Sequence, residues 1–456
     1  MKEKILVLNP SVYDFAAYNL WARPLGILYI ISILKKVGFK VDFIDCLSLQ
    51  YEELMITNDQ KVIKSKSGKY SKYHYFKEEI EKPDPYKNFR RKYFRFGINP
   101  ELLNNLLLSI KKPKVILITS IMTYWYKGVF EVINAVKKIF PDIPVILGGI
   151  YAILCTEHAK KYSNADIVFN NSDILKLLKI ICGIFDNNEP IKRFCSIVNK
   201  NFSKELLYIY PALDEYKENK FIPLSTSFGC IYKCKYCAAC FIQKKFIQRS
   251  YIDVFNEIKY WGQRYNFKDI AFYDDALLLD KEIRIKPFLK EIIKRNIRVN
   301  FHTPNGIHIK SIDKELALLM KESGFETLRF GFESIIKKIQ EDSDNKVTNS
   351  EFELSMKILY DAGFTNENIG IYILMGLPGQ TVEDVKRTIK FIKDFNLTSK
   401  LCEYSPIPYT NYFKESLKFS KVDIYNEPLF QNNTTLSLWS PVFTEESINE
   451  LKLAVK

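Results

Sequence analysis

Short aliphatic runs bounded by polar turns recur through the first 185 positions. Residues 5–8, 41–45, 115–119, 145–147 and 167–169 read as strands, because a brief unbroken apolar run suits a strand covered on both faces. Between them, apolar residues spaced three and four apart predict helices over 24–36, which Gly38 ends, over 101–110 and over 129–139. Strands alternating with helices imply a parallel sheet with helices on both sides, so residues 1–185 are expected to form a doubly wound α/β domain. Ligands of such sheets sit beyond the carboxyl ends of the strands. That draws attention to the loops Asn9-Pro10-Ser11, Ser120 to Thr123, and Gly148-Gly149-Ile150-Tyr151.

The pattern resumes after a stretch of mixed composition at 186–220, which reads as a linker. Strands are expected at 224–228, 269–273, 298–302, 327–332, 369–375 and 399–404, each separated from the next by a helical pattern. Six βα units in succession predict a partial (β/α)6 barrel over 221–405, whose active site belongs at the carboxyl ends of its strands. Residues 406–456 read as an irregular, partly helical extension.

The chain has 456 residues, 47% hydrophobic and 26% charged, which fits two or three folded domains and excludes collagen-like and largely disordered proteins. The longest apolar window, 115–126, is shorter than the roughly 18 residues of a membrane span and is broken by Thr119, Ser120 and Thr123. The first ten residues run into a strand without a signal-peptide core, so a cytoplasmic location is expected. Net charge is +14. Much of it lies in a basic insertion at about 50–100, where residues 61–96 carry 12 Lys/Arg against 4 Asp/Glu. Aromatic residues interleave with those charges (Tyr70, Tyr73, Tyr75, Phe76, Tyr86, Phe89, Tyr93, Phe94, Phe96). The pattern admits stacking on nucleic acid bases, but a solvated insertion that packs its rings on the domain beneath is the favoured reading.

Nine cysteines are too few and too unevenly placed for a disulfide framework. Cys46, Cys155, Cys182, Cys195 and Cys402 are scattered and read as small buried hydrophobes. The others form Cys230-Ile-Tyr-Lys-Cys234-Lys-Tyr-Cys237-Ala-Ala-Cys240. Three thiolates spaced C-x3-C-x2-C suit three corners of a cubane iron–sulfur cluster and leave the fourth iron open. A structural zinc site would recruit Cys240 as well, yet such sites usually pair two separated knuckles. A ferredoxin run would need a further cysteine followed by proline, which is absent. Cys240 is expected to face the core from a helix.

With Tyr236 before its last cysteine and a predicted strand before its first, this motif resembles that of the radical S-adenosylmethionine superfamily. The resemblance covers about 221–404. It implies a [4Fe-4S] cluster on Cys230, Cys234 and Cys237 and S-adenosylmethionine at the open iron. Asp274 and Asp275, ending the second strand, would meet the cofactor's amino group. Glu333 and Ser334, ending the fourth, would approach its ribose, and Gly376 with Pro378 in Met375-Gly376-Leu377-Pro378-Gly379 would lie beside adenine. The implied chemistry is reductive cleavage to a 5′-deoxyadenosyl radical that abstracts a substrate hydrogen, with flavodoxin or ferredoxin as electron donor.

A doubly wound domain in front of such a barrel resembles the cobalamin-binding members. There Ser120, Gly148 and Gly149 would face the corrin, and methyl transfer to an unactivated atom would follow. Two departures stand out. No D-x-H-x-x-G stretch is present to supply a lower cobalt ligand, and Asn170-Asn171-Ser172-Asp173 stands where a Gly-Glu pair is common. The alternatives are oxidation, rearrangement or coupling with an empty first domain, and, from another class, a zinc-containing RNA-binding protein.

Overall fold

The computed structural model describes residues 3–56, 69–199 and 209–455. They form two compact units, Met1–Asn219 and Lys220–Lys456. The first holds a five-stranded, wholly parallel sheet in the order Ile167–Val168, Val145–Leu147, Val115–Ile118, Lys4–Asn9, Lys40–Asp45. Ile5, Leu6, Val7 and Leu8 are all fully buried, because the central strand has helices over both faces. Helix Leu25–Lys36 starts after Pro24 and carries Lys35 and Lys36 in its last turn, where cations complement the carbonyl end. Helix Pro100–Ser109 opens with proline at its first position, and the Asn99 side chain accepts from Leu102 N at 2.6 Å.

The insertion contributes strands Lys77–Ile80 and Tyr93–Phe96, which extend from Val12–Asp14 as an antiparallel sheet. Its rings turn inward: Tyr86, Phe89 and Tyr93 stand 4.9, 4.9 and 5.1 Å from the Phe15 ring, and Tyr75, Phe76 and Phe96 are buried too. Arg95 is buried among them, donating from Nε to Glu131 Oε2 at 2.8 Å and from Nη2 to Ser11 Oγ at 2.9 Å. Rings spent on packing are not available to stack on bases. Lys61, Lys64 and Lys66 lie outside the described residues. The stretch read as a linker contains helix Glu189–Asn199 and buried Tyr216, whose hydroxyl donates to Asp45 Oδ2 at 2.8 Å. Both belong to the first unit.

The second unit is built on six strands in sequence order, Phe221–Leu224, Asp269–Phe272, Asn300–His302, Phe325–Glu333, Ile369–Met375 and Thr398–Glu403, all parallel. The expected first strand at 224–228 is two elements. Phe221–Leu224 stays in the sheet, while Ser227–Phe228 leaves it to pair antiparallel with Ile247–Gln248. The break falls at Thr226, whose N–H and hydroxyl are both bonded to Asp274. The C-terminal stretch is partly helical as expected, and Leu436 and Trp439 in helix Leu436–Trp439 are fully buried. Among the described residues no helix is long and apolar enough to cross a membrane.

Candidate active site at the cysteine loop

The hairpin formed by Ser227–Phe228 and Ile247–Gln248 carries the cysteine loop at its tip. Gly229, at φ +81°, makes the turn into the loop, and a Cβ there would come within 2.8 Å of Lys245 O. Cys237 N donates to Cys234 O at 3.1 Å, so the second and third cysteines share one turn. The loop is clamped from outside: Lys235 N donates to Asp342 O at 2.9 Å and Lys233 N to Asp344 Oδ2 at 3.0 Å. Burial pushes all three thiols up, Cys237 to about 11, while backbone N–H groups of Tyr232 and Ala239 and the Lys346 ammonium act in the opposite sense. Among the described residues no three His, Cys, Asp or Glu side chains converge closely enough to share one metal ion. A cubane asks for something different, since each thiolate then binds its own iron.

Behind the loop stands a polar chain. Lys346 Nζ donates to Tyr236 Oη at 3.2 Å, and Tyr236 Oη donates to Glu333 Oε1 at 2.9 Å. Burial opposes the Lys346 charge, but Glu333, Cys234 and Cys237 raise it above its ordinary value. Glu333 reaches this place by a local distortion. The pairing of its strand slips between Gly331 and Glu333, and Glu333 itself has φ +65°, a conformation that costs about 1 kcal/mol or more and re-aims a side chain. A Cβ at Gly331 would lie 2.9 Å from Glu333 Oε1, so a side chain there would displace the carboxylate. No signal in the sequence singles out Lys346. A single lysine in the turn between helices Lys337–Asp342 and Asn349–Asp361 carries no periodicity or motif.

The two aspartates after the second strand have different surroundings. Asp274 is buried and accepts from Thr226 N at 2.9 Å, Thr226 Oγ1 at 2.6 Å and Ser227 Oγ at 2.6 Å. Its oxygens are taken by the hairpin, which makes it the brace of the cysteine loop. Asp275 is exposed. Partial desolvation by the surrounding protein and the adjacent Asp274 push it up to about 6, with Lys346 pulling down, and it acts electrostatically on Cys230 and Cys237.

Other positions at the strand ends divide similarly. Ser334 is buried and bonded to Thr388 Oγ1 at 3.3 Å and Ile336 N at 3.2 Å. Gly376, at φ +92°, leaves room that Leu436 fills, since a Cβ would come within 2.5 Å of its methyl carbons. Pro378 is half-buried at a turn whose tip, Gly379, faces open space. His302 bonds Thr327 Oγ1 at 2.9 Å and Asp269 Oδ1 at 3.1 Å, a satisfied core residue. His308 packs edge-on against Tyr232 of the cysteine loop at 4.1 Å; burial, Lys346 and Lys310 push it down to about 3, so it is neutral. Cys240 lies in the short helix Ala239–Ile242, none of whose residues is buried, and so does not face the core as expected.

In the first unit Ser120 Oγ donates to Gly148 O at 2.7 Å and accepts from Tyr151 N at 3.1 Å. Gly149, at φ +90°, is packed on Ser120, where a Cβ would come within 2.3 Å of the carbonyl oxygen. Gly148 is the open one of the pair, with nothing nearer to a Cβ than Phe169 O at 4.0 Å. In the connections that leave the carboxyl ends of this sheet, Tyr18, Leu20 and Met122 are exposed by 50%, 54% and 38%.

Residues 224–392 match the model of the radical SAM superfamily. Over 92% of this chain and 83% of its own length, a cytidylyl-2-hydroxyethylphosphonate methyltransferase of Streptomyces wedmorensis is 21% identical. An uncharacterised methyltransferase of Pyrococcus horikoshii is 26% identical over 52% of this chain, which spans about half of that relative, 51%. The radical S-adenosylmethionine methyltransferase TsrM of Kitasatospora setae, solved with cobalamin and a [4Fe-4S] cluster bound, superimposes with a TM-score of 0.68 at 14% identity, covering 100% of this chain and 91% of that one. The shared fold accounts for both the parallel sheet of the first unit and the partial barrel of the second. With the cysteine loop standing at the head of the matched segment, residues 224–392 carry a radical SAM domain.

Proposed function

We propose that Cys230, Cys234 and Cys237 hold a [4Fe-4S] cluster, that S-adenosylmethionine binds at its open iron, and that the first unit binds cobalamin for methyl transfer to an unactivated atom. The observation that carries this reading is the hydrogen-bonded chain Lys346–Tyr236–Glu333 behind the motif loop, whose ammonium acts electrostatically on all three thiols. Bound there, cluster and cofactor supply a low-potential electron and a 5′-deoxyadenosyl radical, and cobalamin supplies a transferable methyl group. The Lys346 ammonium offsets the charge left when the thiols lose their protons to iron. Glu333 and Tyr236 would offer acceptor oxygens to the cofactor's hydroxyls, and Asp275, unlike Asp274, has oxygens free of the hairpin that would accept from its amino group. Tyr18, Leu20 and Met122 supply apolar contact for a corrin, with Gly148 leaving space for it. Two methyltransferase relatives and the fold of a cobalamin-bound enzyme support the assignment.

The test is anaerobic reconstitution of the full chain, followed by iron and sulfide analysis, incubation with S-adenosylmethionine and dithionite, and a cobalamin titration. Cubane stoichiometry, release of 5′-deoxyadenosine and one bound cobalamin are expected. Protein without a cluster overturns the whole reading. A cluster without cobalamin binding reduces it to hydrogen abstraction with an empty first unit.

Asp275 adds a pH dependence. A carboxyl pushed up to about 6 is ionised above that pH and neutral below it, so the acceptor for an ammonium group is lost as pH falls. The dissociation constant of S-adenosylmethionine for cluster-loaded enzyme is expected to rise about tenfold as pH drops through 6, the worth of one charge-assisted hydrogen bond. Asp275→Asn should weaken binding at pH 8 and flatten the profile; an unchanged profile in that variant removes Asp275 from the site.

A further inference from the structure

We infer that the concave face of the second unit's sheet holds an oxyanion group of the substrate between Arg329 and Lys400. The inference rests on the radical SAM reading and adds a substrate class to it.

Strand pairing sets Arg329 opposite Gly370, and Tyr372 opposite Lys400. Alternation along the strands therefore places Arg329, Gly370, Tyr372 and Lys400 on one face. The other face carries buried Phe330, Ile371 and Ile373. Phe332 on that side packs against Phe352 and Phe391 of the covering helices, with ring centroids 4.6 and 5.6 Å away. The face bearing the two cations is thus the one the helices leave uncovered.

Gly370 interrupts an otherwise β-rich strand, Ile369-Gly370-Ile371-Tyr372-Ile373. A Cβ at that position would lie 3.0 Å from Arg329 Cδ and 3.1 Å from both Nε and Nη1. The arginine side chain lies across the glycine, toward the strand that carries Lys400, and Nη1 is tied to Leu328 O at 2.9 Å and Asn368 O at 3.3 Å. Tyr372 is held beside it, its hydroxyl donating to Pro304 O at 2.7 Å.

Among the described residues neither Arg329 nor Lys400 makes an ion pair. Elsewhere in the unit the buried Lys286 is neutralised, lying within 3.0 Å of Glu282, Asp313 and Glu315. Partial burial pulls Arg329 below its ordinary value, and Lys400, an exposed residue, is pulled down by partial desolvation and by Arg329. Two cations on one face, carried by the strands that flank Ile369–Met375 and neither of them ion-paired, describe half of an ion-binding site. A planar guanidinium and a mobile ammonium together suit an oxyanion. Arg329 precedes Glu333 by four residues on one strand, about 13 Å at strand rise. An anion held there leaves the reacting carbon of a small molecule at the mouth, near the cysteine loop.

Inorganic phosphate and acetate, titrated separately into the cluster-loaded full chain by calorimetry, test the site. Saturable one-site binding is expected, weakened about tenfold or more in Arg329→Gln and in Lys400→Gln and unchanged in Lys294→Gln on the helix surface. Preference for phosphate over acetate identifies a phosphate or phosphonate ester as the substrate group, and the reverse preference a carboxylate. If cluster-loaded protein binds neither anion saturably, or if the two variants bind like the parent, the inference is overturned. Absence of the cluster in the parent protein is the separate outcome that overturns the radical SAM reading.

Discussion

Alanine in place of Cys230, Cys234 or Cys237 is expected to abolish both cluster assembly and cleavage of S-adenosylmethionine, a loss of at least about a thousandfold in 5′-deoxyadenosine formation. Each thiolate is to hold a separate iron, so the remaining pair cannot compensate for a missing third. Cys240→Ala, one helical turn further on, is expected to retain both cluster and cleavage, because Cys240 belongs to the short helix that follows the loop. The contrast matters more than either result alone. A four-cysteine zinc site would lose its metal in all four variants, whereas a three-cysteine cubane loses it in three. Iron and sulfide content with the visible absorption of the anaerobic protein reads the difference directly.

Asp274→Ala should lower the stability of the second unit by about 3–5 kcal/mol, the usual consequence of removing one partner from a buried charged network. The substitution leaves the Thr226 N–H and hydroxyl and the Ser227 hydroxyl without their acceptor. It also removes the nearest carboxylate from Arg284, whose Nη2 stands 3.9 Å from Asp274 Oδ1. For a unit of this size the unfolding midpoint should fall by roughly 10 °C. The site suffers as well, because Thr226 and Ser227 begin the hairpin that carries the cysteines, and cluster retention should fall with stability. Asp275→Ala, next in sequence, has no such network to break and should leave the midpoint within about 2 °C. Equal midpoints for the two variants would show that Asp274 is not a brace.

Much of the molecule is legible in its amino-acid pattern. The strands Val145–Leu147 and Ile369–Met375 lie where apolar runs place them, since a run buried on both faces needs no distant information to be recognised. The helix after the Gly376–Gln380 turn declares itself through Thr381 and Asp384, which form a capping box. The cysteine triad is equally local: its meaning lies in spacing along seven or eight residues. Local pattern misleads where it competes with a remote partner. It carries the first barrel strand through Thr226, because nothing near Thr226 announces that Asp274 will capture it. Gly149 and Gly376 suggest room for flat ligands, but the space at each is taken by Ser120 and by Leu436, one 29 residues and the other 60 residues away.

The sequence by itself determined the order of elements, the parallel sheets and the candidate metal-binding thiols, all of which follow from period, run length and short spacing. Only the tertiary structure decided which charges share a site. Lys346 beside the thiols, Asp274 spent on the hairpin while Asp275 stays open, and Arg329 laid across Gly370 toward Lys400 are pairings between residues far apart in the chain. Side-chain chemistry states what each group can do, but electrostatic energy depends on distance and burial, and those exist only once the strands are side by side.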